Sequence, residues 1–267
     1  MPTYRGGRHE HGQNYLTNRT IIAQFVGLVA DTRGPIIEIG PGRGALTREF
    51  QKLRRPITAI EIDAAAVATL HPRLSVDVDL INADFLTWRL PTTPHVVVGN
   101  LPFHLTTAIL RKLLHASGWT DAVLLVQWEV ARRRAGIGGA SMMTAQWWPW
   151  VEFSAVRRVP ASALRPSPSV DGGLLVMSKR EEPLLDPKDR GAYRQFVHAV
   201  FTGKGNGVAA ILARLVEQRR RTAVGDWLAR AGVASFARPK DLTATQWAYL
   251  FRRARDSGLR LPGGRST

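Results

Sequence analysis

The sequence predicts an α/β protein: a doubly wound, mostly parallel seven-stranded sheet followed by a small C-terminal helical domain. Three observations carry this expectation. Short apolar runs alternate with stretches of helical periodicity between residues 36 and 126. Two further strand-like runs then follow with only a proline-rich loop between them, and beyond residue 187 the apolar spacing is helical throughout.

Asn18 is placed to cap a helix in which Ile21, Ile22, Phe25, Val26 and Val29 share one face, and Gly34-Pro35 ends it. The parallel strands are expected at Ile36 to Ile39, Ile57 to Ile60, Val78 to Ile81, Val96 to Val98 and Val123 to Val126. Val151 to Arg158 and Gly173 to Ser178 complete the sheet, and their short connection suits antiparallel pairing at its edge. The charged, proline-punctuated stretch Arg180-Glu181-Glu182-Pro183-Leu184-Leu185-Asp186-Pro187 reads as a linker. Helices are expected at Tyr193 to Phe201, Val208 to Val216, Val224 to Ala231 and Thr245 to Arg253, with Gly203 to Gly207 as a turn. The resulting organisation is a basic N-terminal arm (1–17), a sheet domain (18–178), a linker (179–187), a helical domain (188–254) and a basic tail (255–267).

Composition narrows the partners. With 37 Lys plus Arg against 21 Asp plus Glu the chain carries a formal net charge of +16, which suits an anionic polymer. Most of these cations are Arg, whose planar fork pairs with phosphate and stacks on bases, so nucleic acid is the expected partner and the helical domain the expected RNA-binding part. Cysteine is absent, which excludes disulfides, thiolate metal sites and a cysteine nucleophile. The histidines show no metal-ligand spacing, and no apolar run approaches membrane-spanning length, so a metal-free, cytoplasmic and monomeric protein is expected.

The chemistry is concentrated at predicted strand ends. Gly40, Gly42 and Gly44 in Glu38-Ile39-Gly40-Pro41-Gly42-Arg43-Gly44 follow a strand and precede a helix expected to start near Ala45. Such a turn lets the backbone approach a nucleotide-like ligand closely. Glu61 ends the next strand, where a carboxylate holds ribose hydroxyls; this pattern also fits a nicotinamide dinucleotide, and a plain tight turn with a surface carboxylate competes with both. Asp84 ends the third strand and can accept the amine of an adenine ring, although a lone Asp there is also a common turn residue. Asn100-Leu101-Pro102-Phe103 ends the fourth. The exocyclic nitrogen of adenine is a poor nucleophile because its lone pair is delocalised into the ring. The Asn100 side-chain oxygen and the Leu101 carbonyl can accept its hydrogens, Pro102 stiffens that carbonyl, and Phe103 can stack on an extruded base. A polar turn followed by a core Phe is the bland alternative for that segment taken alone. Trp147, Trp148 and Trp150 read as core, whereas Arg132, Arg133 and Arg134, with Arg219, Arg220 and Arg221, are candidate phosphate contacts or solvated helix faces.

Taken in order, Gln13-Asn14-Tyr15-Leu16, the glycine turn, Glu61, Asp84 and Asn100-Leu101-Pro102-Phe103 resemble the motifs of the rRNA adenine N6-methyltransferases. That superfamily joins the erythromycin-resistance (Erm) enzymes to the small-subunit rRNA dimethyladenosine transferases. His9-Glu10-His11-Gly12 and Val126-Gln127-Trp128-Glu129-Val130-Ala131-Arg132-Arg133 are similar to the Erm branch. The resemblance covers roughly residues 8 to 178. It implies a class I methyltransferase, Rossmann-like sheet domain and S-adenosylmethionine as cofactor. In that reading Asn14 and Leu16 belong to a segment closing over the cofactor, Gly40 lies under its methionine part, Gly42 is also cofactor-binding, Glu61 holds the ribose, Asp84 meets the adenine, and Asn100 bridges cofactor and target.

The implied reaction is direct, in-line methylation of an adenine N6 in 23S rRNA with no covalent enzyme intermediate, conferring macrolide-type resistance. The implied substrate presents an unpaired adenine, since A-form duplex hides base edges. In Leu164-Arg165-Pro166-Ser167 the family commonly has an aromatic where this chain has Leu164, so Leu164 is expected as an apolar rather than a stacking wall for the base. The alternatives are a 16S rRNA adenine N6,N6-dimethyltransferase, a non-catalytic RNA-binding or ribosome-assembly factor, and a nicotinamide-dependent oxidoreductase.

Overall fold

The computed structural model describes residues 14–261. The His9 segment, Gln13 and most of the N-terminal arm lie outside the described residues, as does the tail beyond 261.

A two-residue strand β1 (Tyr15–Leu16) leads into α1 (Arg19–Ala30), whose first turn is closed by Asn18 Oδ1 accepting from the Ile21 amide at 3.1 Å. Then come β2 (Ile36–Ile39), a single-turn α2 (Thr47–Phe50), β3 (Ile57–Glu61), α3 (Ala64–Leu70), β4 (Val78–Asn82), β5 (His95–Asn100), α4 (Thr106–His115) and β6 (Trp119–Gln127). The middle of the chain holds α5 (Trp128–Arg134), α6 (Met142–Trp147), β7 (Val151–Val159), β8 (Leu164–Arg165) and β9 (Gly172–Lys179). Four helices close it: α7 (Arg190–Thr202), α8 (Gly207–Leu215), α9 (Ala223–Arg230) and α10 (Ala244–Arg255).

The main sheet has seven strands in the order β4-β3-β2-β5-β6-β9-β7. Strands β4, β3, β2, β5 and β6 are parallel, and β9 runs antiparallel to β6. The order reverses between β2 and β5, which opens a crevice at the carboxyl ends of the central strands. Buried parallel strands read as continuous apolar runs, as Val96, Val97 and Val98 show at 0% exposure. Leu16, Phe25, Phe50, Val98 and Leu174 are among the side chains of the core beside α1, where Phe25 and Phe50 meet with ring centres 5.9 Å apart. What periodicity did not reveal is the small antiparallel ribbon β1-β8, in which Leu16 faces Leu164. Two-residue strands carry too few residues to show alternation.

The chain divides into two compact units, one of residues up to 131 plus 154–178 and one of 132–153 plus the residues from 179 onward. The first holds most of the sheet. The second differs from the expected boundaries, because residues 132–153 and the stretch expected as a linker join the helices. The physical reason is aromatic packing: Trp150 lies edge-on to Tyr193 at 5.4 Å, Tyr193 edge-on to Phe251 at 5.3 Å, and Phe196 meets Phe251 at 5.5 Å. Tyr193 Oη donates to the Ala145 carbonyl at 2.8 Å, and the Trp150 indole donates to the Leu185 carbonyl at 2.9 Å. Leu185 is therefore core and the 179–187 stretch is fastened, while Trp147 and Trp150 are buried as expected for core residues.

Candidate active site

The glycine turn follows β2 directly. Gly40, Gly42 and Gly44 have φ of +64°, +53° and +74°, a region that glycine enters without a steric penalty. A side chain on Gly40 would meet nothing within 4 Å, so that face of the turn is open to a ligand. At Gly42 an added Cβ would lie 2.9 Å from the Tyr15 ring, so the turn and β1 approach as closely as they do because residue 42 has none. The Arg43 guanidinium lies 4.6 Å from the centre of the Tyr15 ring, a cation–π contact that holds the ring as a wall of the turn. The helix expected from Ala45 begins at Thr47 and lasts one turn.

Carboxylates come from the next two strand ends. Glu61, 2% exposed at the end of β3, accepts from the Gly42 amide through Oε2 and from the Asp63 amide through Oε1, both at 3.0 Å. Its orientation is thus fixed by backbone, and each oxygen retains a second lone pair for a hydroxyl donor. Asp84, after β4, uses Oδ1 to accept from the Leu86 amide at 2.8 Å. Glu38, within β2, is 1% exposed, and burial pushes its carboxyl from the ordinary 4.5 up to about 7, with the Thr47 hydroxyl partly offsetting the rise and Glu61 adding to it.

At the end of β5, the Asn100 side-chain Nδ2 donates to the Asn14 carbonyl at 2.6 Å. Only the amide nitrogen can make that bond, so Asn100 Oδ1 is defined as the acceptor. Leu101 is anchored through its amide to the Leu125 carbonyl at 3.0 Å, and the Pro102 carbonyl accepts from the Leu105 amide at 3.0 Å. Asn14, Gly40, Glu61, Asp84, Asn100 and Leu101 all line one cleft at the carboxyl edge of the sheet. Gly42, Tyr15 and Pro102 also line it, whereas half-buried Phe103 packs against the core beside α1.

Other sequence-derived candidates separate. Leu16 and Leu164 are 2% and 0% exposed, and their side chains are part of that same core. Leu164 therefore does not present a wall to a base in this structure; it holds β1 by strand pairing. Arg132, Arg133 and Arg134 belong to the second unit and have different surroundings. Arg134 is 9% exposed, donates to Ser141 Oγ at 2.5 Å, and has its charge disfavoured first by burial and then by Arg133. It is a structural side chain rather than an exposed phosphate contact. Arg133 is exposed, and Arg132 donates to the Ile137 carbonyl at 3.3 Å. Sequence reasoning assigned no role to Glu38, Tyr15 or Lys112. A carboxylate inside an apolar strand and an aromatic next to Asn14 were visible signals for the first two. Among the described residues no group of acidic and histidine side chains could hold a metal ion, and no helix is long and apolar enough to cross a membrane.

Comparison with known proteins points to one family. Residues 5–256 match the family described as ribosomal RNA adenine dimethylase. The chain is 57% identical over 215 residues to an rRNA adenine N-6-methyltransferase of Corynebacterium diphtheriae, covering 80% of this chain and 85% of the relative. It is 45% identical over 263 residues to the mycinamicin-resistance protein MyrB of Micromonospora griseorubida, covering 98% and 84%. The crystal structure of the 23S rRNA methyltransferase ErmE is similar with a TM-score of 0.84 at 35% identity, covering 91% of this chain and 100% of that one.

Proposed function

The chain belongs to the ribosomal RNA adenine dimethylase family, and we propose that it methylates an adenine N6 of 23S rRNA with S-adenosylmethionine as methyl donor. The expected consequence is resistance to macrolide-type antibiotics, in keeping with its resemblance to a mycinamicin-resistance protein.

The observation that carries the reading is the hydrogen bond from Asn100 to the Asn14 carbonyl. It commits the amide nitrogen to protein and leaves Oδ1 as an acceptor on the cleft. An adenine amine has two N–H donors. Asn100 Oδ1 and the Leu101 carbonyl accept both, which favours a tetrahedral nitrogen with a localised lone pair and stabilises the positive charge developing on it. Pro102 holds the peptide that follows, and the part of half-buried Phe103 left uncovered by the core is the aromatic surface that would meet a base withdrawn from its stack. An unpaired adenine is the substrate form, because extrusion from a duplex would cost stacking and pairing.

The cleft fits the donor. Glu61 is oriented to accept ribose hydroxyls, Asp84 to accept an adenine amine, and the open face of Gly40 leaves room for the methionine part. S-adenosylmethionine, when bound, supplies an electrophilic sulfonium methyl. The protein's part is then positioning and electrostatics, which is the larger part of catalysis when the nucleophile is the substrate itself. A nicotinamide dinucleotide fits less well: its pyrophosphate is held by the N-terminus of a full helix, and α2 has one turn.

The reading is tested by incubating the protein with S-adenosylmethionine labelled on the methyl group and protein-free 23S or 16S rRNA. Label at one adenine of 23S rRNA is expected. Label confined to 16S rRNA would place the chain in the small-subunit branch, and RNA binding without label would make it a non-catalytic factor.

A further inference from the structure

We propose that Lys112 is the positioning residue that holds the adenine-facing loop of the cleft, Asp84 to Trp88, in its working shape; this rests on the cleft being the S-adenosylmethionine site. The loop is a tight turn. Asp84 Oδ1 accepts from the Leu86 amide at 2.8 Å, and the Asp84 carbonyl accepts from the Thr87 and Trp88 amides at 3.0 and 2.9 Å. Turning the chain this way directs the carbonyls of Phe85, Leu86 and Trp88 toward one point, and Lys112 from the last turn of α4 occupies it.

Lys112 Nζ donates to the Phe85 carbonyl at 2.5 Å, to the Leu86 carbonyl at 3.1 Å and to the Trp88 carbonyl. An ammonium has three protons, and three carbonyls take them. Nζ also lies 4.9 Å from the centre of the Phe85 ring, a cation–π distance. Burial works against the charge on Lys112 and the Asp84 carboxylate works for it, so lysine and loop are linked by charge as well as by hydrogen bonds. A planar guanidinium has its donors in a fixed fork and cannot converge on three carbonyls around one nitrogen.

The placement has a functional consequence. Asp84, Phe85 and Leu86 line the cleft, and Asp84 is the group read as accepting the adenine amine. The helix that carries Lys112 starts three residues after Phe103, at the end of the segment that faces the target. One helix therefore ties the adenine end of the cofactor site to the methyl-accepting end. Removing the ammonium frees the loop, and the expected loss is discrimination at the adenine amine.

The test is calorimetric binding of S-adenosylhomocysteine and of its inosine counterpart, in which an oxo group replaces the amine, to the full chain. Wild type is expected to prefer the adenosine form by roughly tenfold or more. Lys112→Met keeps the stem and removes the donors; it is expected to weaken S-adenosylhomocysteine at least about fivefold and bring the two ligands within about twofold of each other. Lys112→Gln is made in parallel, and the unliganded melting temperature reports folding of both. A folded variant that keeps the wild-type preference overturns the proposal alone. So does loss of fold in both variants, since the lysine would then hold the domain rather than the loop. Failure of wild type to bind either ligand overturns the cofactor reading and this proposal with it.

Discussion

The two units of the molecule differ in how they use charge. The stretches 132–153 and 179–267 hold 21 of the 37 Lys and Arg residues and 9 of the 21 Asp and Glu, so they contribute +12 of the net +16. The sheet unit is close to neutral and places carboxylates at strand ends, where Glu61 and Asp84 line the cleft. A ligand with ribose hydroxyls and an adenine amine needs fixed acceptors, whereas an RNA backbone needs cations and tolerates imprecise placement. Chemistry therefore requires a few residues at defined positions, and RNA attraction a sum over many.

The largest effect that tests this contrast, short of losing turnover, is expected from Glu61→Gln. It removes a buried, backbone-oriented acceptor and should weaken S-adenosylhomocysteine by roughly 10–100-fold in a calorimetric titration, with RNA affinity unchanged. An equal loss of RNA binding would erase the division between the units.

Next in size is the pH dependence of stability. Glu38 keeps its proton in the folded state up to about pH 7, whereas in the unfolded chain it loses it near 4.5. Between those values the folded state binds more protons, so stability must fall as pH rises, by about 3 kcal/mol across the window if the shift is fully expressed. Glu38→Gln stays neutral and should flatten that part of the profile. Thermal melts at pH 5 and pH 8 check this, and an unchanged fall in the variant would place the effect elsewhere.

Smaller again is the contrast within one arginine run. Arg134→Ala should lower stability by about 1–3 kcal/mol, because it removes a nearly buried side chain together with its hydrogen bonds to the Ser141 and Thr144 hydroxyls. Arg133→Ala, at an exposed position, should cost less than Arg134→Ala in the same denaturation experiment. Smallest is the change from replacing the exposed Arg219, Arg220 and Arg221 by Gln, which should reduce the log–log salt slope of RNA binding by roughly 0.7 for each phosphate no longer neutralised. A salt slope identical to wild type would show that these three neutralise no phosphate.

The same contrast explains what was legible in the sequence. Gly40, Glu61, Asp84 and Asn100 are each at the end of a parallel strand, and parallel pairing brings those ends to one edge whatever the details of packing. Strand order along the chain was therefore enough to assemble them. Arg132, Arg133 and Arg134 are consecutive on a helix, where successive side chains point about 100° apart, so one run supplies an exposed and a buried member. Leu164 and residues 132–153 failed for a related reason: their surroundings are set by β1 and by the Tyr193 cluster, which are distant in sequence. Lys112 gave no signal because its partners are backbone carbonyls, which every residue has.

The role of Asn100 is tested by methyl transfer to 23S rRNA with Asn100→Ala, followed by nucleoside analysis of the labelled product, with S-adenosylhomocysteine binding measured on the same preparation. Wild type should yield N6-methylated adenosine, and the ratio of mono- to dimethyl product reports how many transfers occur. The variant should lose roughly 100–1,000-fold in rate while its cofactor affinity changes far less. Near-wild-type methylation by the variant would contradict the role of Asn100 as acceptor for the target amine.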